Sequence, residues 1–163
     1  YDKTSRYKNL AHLTVDDLPF AWHVGVLRGA HMPKMDVTGK ADPYVILRVE
    51  GKQHSTHMVR NTLSPEWDEW FRFEIGETSA EMQVCVMDWD RFNDDEEMGY
   101  LRVPVSRYAR QTYTGEFELF ADATLQTPLV GKDGETATLT LSLSSSLSPD
   151  HEAFMASVRE LQA

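Results

Sequence analysis

From residue 20 to residue 144, apolar and polar positions alternate in short runs. In "TLTLSL", Leu139, Leu141 and Leu143 fall on one side of an extended chain and Thr138, Thr140 and Ser142 on the other. "FRFEI" repeats the pattern, with Phe71, Phe73 and Ile75 set against Arg72 and Glu74. Successive side chains of a strand point to opposite faces, so each run predicts a strand with one face buried. Residues 22–28, 44–50, 53–59, 82–87, 99–105 and 116–120 complete a set of eight, separated by Gly, Pro, Asp and Asn. Those separators supply the backbone angles of turns. Eight short strands without a central helix predict an all-β protein, an eight-stranded antiparallel β-sandwich whose end loops are free to carry function.

The ends break the alternation. Pro149 and Asp150 follow Ser148 as a helix start, and Phe154, Val158 and Leu161 then recur at helical spacing, predicting a short C-terminal helix over 149–162. The serines at 144–146 look like a strand-ending loop. Residues 1–19 lack a clean period and are expected to form an N-terminal extension, leaving 20–146 as the domain and 147–163 as a helix or linker.

Composition narrows the function. A formal charge of -10 on 163 residues argues against a nucleic-acid binder, because phosphate contacts need clustered Lys and Arg. An anionic membrane also repels it: at roughly -30 mV, each like charge costs about 0.7 kcal/mol before screening. Constitutive membrane binding is therefore not expected. The single cysteine, Cys85, lies within the apolar run "EMQVCVM" and cannot form an intrachain disulfide. With no N-x-S/T sequon either, the composition points to a cytoplasmic setting. The first residue is Tyr1, so the chain is read as a segment of a larger or processed protein.

Against this background two acidic loops stand out, "MDVTGKADPYV" at 35–45 and "VMDWDRFNDDEEMG" at 86–99. Asp36 and Asp42 in the first, with Asp88, Asp90 and Glu96 in the second, bring five carboxylates that lack counter-charges nearby in sequence. Such a set is costly unless a cation joins it. Oxygen ligands without His or Cys indicate calcium, which takes six to eight oxygens, and so many acids suit two or more ions bridged by shared carboxylates. An EF-hand is excluded, since one counted from Asp88 meets Asn93 at the sixth position and Gly99 at the twelfth, where Gly and Glu are required. None of the six histidines pairs with a Ser or Cys nucleophile in a known motif, and there is no Gly-rich phosphate loop. Catalysis is not expected.

"WHVGVLRGAHMPKMD", "DVTGKADPYV", "NTLSPEWDEWF", "DWDRFNDDEEMG" and the closing "GETATLTLSL" together resemble the C2 domain, a calcium-dependent phospholipid-binding module found in protein kinase C and synaptotagmins. The resemblance covers about residues 20–144. It implies calcium ligands at Asp36, Asp42, Asp88 and Asp90, with two or three ions bound. The fifth ligand position falls on Glu96 where the family prefers Asp, so Glu96, the preceding Asp95, or both fill it, and Asn93 matches a position that supplies a weaker oxygen. Because "TATLTLSL" closes the chain well, the second of the family's two circular strand orders, type II, is expected.

The implied function is calcium-dependent docking on anionic phospholipid such as phosphatidylserine. The module would be non-enzymatic and cytoplasmic, recruited to the membrane as part of a larger signalling or trafficking protein. Phe92, at the tip of the second acidic loop, is the expected membrane contact. The alternative is a protein-interaction C2 domain that uses its acidic surface or terminal helix, with calcium as a regulatory or structural ion. The strand-hairpin region has Arg48, Lys52 and Arg60 but no Lys cluster, which argues against a strong phosphoinositide site.

Overall fold

The computed structural model describes residues 20–35, 39–77, 79–109, 111–147, 153, 156–157 and 159–161. The element order is β1 (Phe20–Ala30), β2 (Pro43–Val49), β3 (Lys52–Ser55), β4 (Glu66–Ile75), β5 (Glu81–Asp88), β6 (Glu96–Pro104), a one-turn helix α1 (Val105–Tyr108), β7 (Tyr113–Glu118) and β8 (Thr138–Leu147). These strands form two four-stranded antiparallel sheets, ordered β4-β1-β8-β7 and β3-β2-β5-β6. This is the expected sandwich. The last strand lies beside the first, with Val24 opposite Leu143, as the type II order requires.

Alternation decides which side chains enter the core. Val45, Leu47 and Val49 of β2 with Met82, Val84 and Val86 of β5 are buried on one sheet, and they share one core with Trp22, Val24, Val26, Phe73, Ile75, Leu139, Leu141 and Leu143 of the other. At about 25 cal/mol per Å² of apolar surface, this shared layer is the main force holding the sheets together. The β2–β3 hairpin closes through two residues, Glu50 and Gly51, with φ of 49° and 76°. Two positive φ values in a two-residue turn match the right-handed twist of the flanking strands. Glu50 compensates for its unusual backbone by accepting hydrogen bonds from Gly76 N–H at 2.9 Å and Glu77 N–H at 3.1 Å.

Several boundaries differ from the sequence reading. The serines at 144–146 continue β8 rather than ending it, because β1 extends back to Phe20 and pairs His23, Trp22 and Ala21 with Ser144, Ser145 and Ser146. The strand therefore ends at Leu147. β3 stops at Ser55 instead of continuing to residue 59. There the Thr56 N–H still donates to the Val45 carbonyl at 2.9 Å, but the Val45 N–H goes to the Thr56 hydroxyl at 2.9 Å, so a side chain takes one of the two bonds of the pair. β4 starts five residues before "FRFEI", and β7 lies over 113–118 rather than 116–120. At the C-terminus, residues 153, 156, 157 and 159–161 are helical. Phe154 and Val158 of the expected helix, together with the extension at 1–19, lie outside the described residues. Among the described residues no helix is long and apolar enough to cross a membrane.

Candidate metal centre

The segments at 39–42, 56–65 and 89–95 lie at one end of the sandwich, where Pro43 pairs with Asp88 and Asp88 with Glu96. Asp42 fastens all three loops. Its N–H donates to Oδ1 of Asp88 at 2.8 Å, its Oδ1 accepts the N–H of Asn61 at 2.7 Å, and its carbonyl accepts the N–H of Trp89 at 2.9 Å. The two acidic stretches, far apart in sequence, are thus joined through the first residue of the "DPY" turn.

Asp88 ends β5 with the same inward parity as Met82, Val84 and Val86, and it is the one buried carboxylate among the described residues, at 4% exposure. A charge placed at the rim of an apolar layer is costly unless hydrogen bonds or a cation accompany it. Glu96 faces it directly across the β5–β6 ladder. Opposed residues in adjacent strands share a face, with Cβ atoms about 5 Å apart.

Asp90 shapes the loop tip. Its Oδ1 accepts the N–H groups of Phe92 at 2.8 Å and Asn93 at 3.0 Å, and these two donors hold its carboxyl below the usual Asp range. Phe92, just beyond, is 84% exposed, with the Arg91 guanidinium 5.4 Å from its ring centroid. Trp89, between Asp88 and Asp90, is half-buried and carries Arg60 at 5.9 Å.

Asp95 turns the other way. One carboxylate oxygen accepts Asp90 N–H at 2.9 Å and the other accepts the Tyr44 hydroxyl at 2.5 Å. Burial, and then this bond, push the Tyr44 phenol up to about 12. Asp95 therefore braces the loop against β2. Asn93 is exposed and gives its N–H to Asp90.

Asp36 lies outside the described residues. Among those described, no three His, Cys, Asp or Glu side chains stand close enough to hold an ion by themselves. The donors present are all oxygens, and Asp42 and Asp88 are already drawn together, which fits a hard cation and gives a soft one no nitrogen or sulfur ligand.

Two residues essential to this arrangement are not evident from the sequence pattern. Asn61 sits at φ 52°, gives its N–H to Asp42 and takes the N–H of Lys40 on its side-chain oxygen at 2.9 Å. Its position in a turn-rich stretch, where Asn tolerates positive φ, is the only local signal. Tyr44 has none, since its partner is 51 residues away.

A family model described as C2 domain matches residues 21–119. The chain belongs to the C2 domain family. Among curated proteins, a C2 and GRAM domain-containing protein from Arabidopsis thaliana is 40% identical to this C2 domain over 84 residues, 51% of the chain. The chain spans only 8% of that relative's length. A C2 domain of plant extended synaptotagmin 1 superimposes with a TM-score of 0.68 at 23% identity, covering 79% of this chain and 95% of that one. The calcium-bound pair of C2 domains from extended synaptotagmin 2 gives 0.63 at 18% identity, covering 83% and 48%. At these identities the likeness to the solved structures is one of fold.

Proposed function

We propose that this C2 domain is a non-catalytic, calcium-dependent module that brings a larger cytoplasmic protein to anionic phospholipid. The observation that carries the reading is the Asp42 N–H to Asp88 Oδ1 bond, which unites the two acidic loops beside the exposed Phe92. In this reading Asp36, Asp42, Asp88, Asp90 and Glu96 hold two or three calcium ions on the protein side. Glu96 is favoured as the fifth ligand because it faces Asp88, whereas both oxygens of Asp95 already have donors. Asn93 is a peripheral oxygen donor at most, being exposed at the outer turn.

Bound calcium supplies positive charge that lipid phosphate or serine carboxylate can share. Two ions take the formal charge from -10 to about -6, and the gain falls at the docking loops, where local sign decides attraction. The chain's own part is to orient the carboxylates through Asp42, hold the tip with Asp90 and present Phe92 to the lipid interface.

Co-sedimentation with phosphatidylserine vesicles tests the reading. Pelleting in calcium and release in chelator are expected; equal pelleting in both would refute calcium dependence.

A further inference from the structure

The sheet that carries neither Asp42 nor Asp88 presents an aromatic side chain which the metal centre does not use. Trp70 on β4 is 59% exposed, although an indole gains much from burial. Opposite it on β1 is Gly25. A Cβ at that glycine would lie 2.8 Å from two carbons of the six-membered ring and 2.9 Å from a third. The indole thus rests against bare backbone, an arrangement that only glycine permits, and its other side is open to solvent. Beyond Gly25 the same row continues to Ser142 and Thr114, whose hydroxyls bond at 3.0 Å. Such short side chains leave the surface beside the ring low and flat.

This face is also acidic. Alternation along β4 sets Glu74 on the Trp70 side, Glu66 and Asp68 are exposed beyond the irregularity that faces Val26–Arg28, and β7, at the far edge of the same sheet, adds Glu116 and Glu118 opposite Thr140 and Thr138. Against these five acids stand three cationic side chains: Arg28 across from Glu66, Arg72, which is bound at 2.7 Å to Glu74, and Lys52 of β3, whose ammonium donates to the Glu74 carbonyl. His23 is engaged with Ser146 at 2.8 Å.

We infer that Trp70 is a stacking platform for the arginine side chains of a basic segment in a partner protein, held in place by the carboxylates around it. A planar guanidinium can lie over the open indole face while its edge N–H groups reach Glu66 or Asp68. An anionic membrane finds no complement here. A second copy of the chain would meet its own excess of acids.

The test is an NMR titration of the isotopically labelled chain, in chelator, with a synthetic peptide of alternating Arg and Gly. Saturable shifts of the Trp70 indole N–H and the Gly25 amide are expected. Trp70→Ala should weaken the peptide about two- to fivefold, the range of an exposed cation–π contact, and Trp70→Phe should recover part of the loss. A Glu66→Gln, Asp68→Asn double variant should also weaken binding and flatten its salt dependence; Asn tolerates the positive φ of 51° at position 68. Equal peptide affinity in Trp70→Ala overturns the inference. So do Trp70 shifts on dilution without peptide, which mean a second copy, or protection of Trp70 by phosphatidylserine vesicles in chelator, which means a membrane.

Discussion

The backbone N–H of Asp42 donates to Oδ1 of Asp88 across 2.8 Å, so the entrance to β2 is positioned by the exit of β5. One carboxylate therefore has two tasks: it anchors a neighbouring loop, and in the proposed centre it holds a cation. Asp88→Asn keeps an oxygen for the Asp42 bond while removing the charge. Calorimetric calcium affinity should fall at least about tenfold, the equivalent of about 1.4 kcal/mol. In chelator the melting temperature should stay level or rise, because a buried charge has been removed. A large loss of stability in chelator would mean that Asp88 acts mainly as a structural brace.

Phe92 separates calcium binding from docking. Burying its exposed ring in the lipid interface contributes about 1.5–3 kcal/mol. Phe92→Ala should therefore weaken calcium-dependent vesicle affinity about ten- to 100-fold while leaving calcium affinity without lipid unchanged. Unaltered vesicle binding would remove Phe92 from the interface.

Asp95 and Glu96 are neighbours with different surroundings, and paired neutral variants discriminate between them. Glu96→Gln should lower calcium affinity with little change in urea midpoint. Asp95→Asn should cost about 1–2 kcal/mol of stability at constant m-value, because two hydrogen bonds to a charged group are weakened. Tyr44→Phe, which removes one of those bonds, should reproduce part of that stability loss. The reverse pattern of calcium affinities would make Asp95 the fifth ligand.

How much of this was legible in the sequence depended on the range of the contacts. Leu139, Leu141 and Leu143 announce β8 because their period-two spacing is local, and all three enter the core. The serines at 144–146 mislead because small polar residues look like a loop, whereas their strand state is imposed by pairing with β1, more than 120 residues earlier. The acids of the proposed centre show themselves through residue type and loop setting. Their supports do not: Asn61 reaches Asp42 across 19 positions and Tyr44 reaches Asp95 across 51. Such tertiary hydrogen bonds have no periodic trace in a single sequence, so Asp95 and Glu96 look equivalent until the fold places one against Tyr44 and the other opposite Asp88.

A titratable contact stands at the base of the first acidic loop and predicts a pH dependence. His31, at φ 58° just after β1, places Nδ1 2.6 Å from an oxygen of Asp133. Gly131 lies so close that a Cβ there would stand 2.3 Å from the His31 carbonyl oxygen. The Asp133 hydrogen bond is the main cause that raises the His31 pKa above 6.5, with Glu135 and Glu116 adding smaller effects in the same direction. Lys132 also lines the recess around the pair. A histidine with a raised folded pKa contributes its full stability below 6.5, and that contribution disappears as pH rises through the folded value. Asp133, lowered from 3.8 chiefly by His31, contributes above 3.8 and loses its share as pH falls through its own folded value. The pair is therefore strongest between those limits. The melting-temperature difference between the natural chain and His31→Gln should be greatest near about pH 5 and fade as the pH rises past 6.5 and through the raised folded value of His31. Asp133→Asn should remove the same pH-dependent difference. A gap between natural and His31→Gln proteins that stays constant from pH 5 to 9 would show that His31 acts through packing rather than charge.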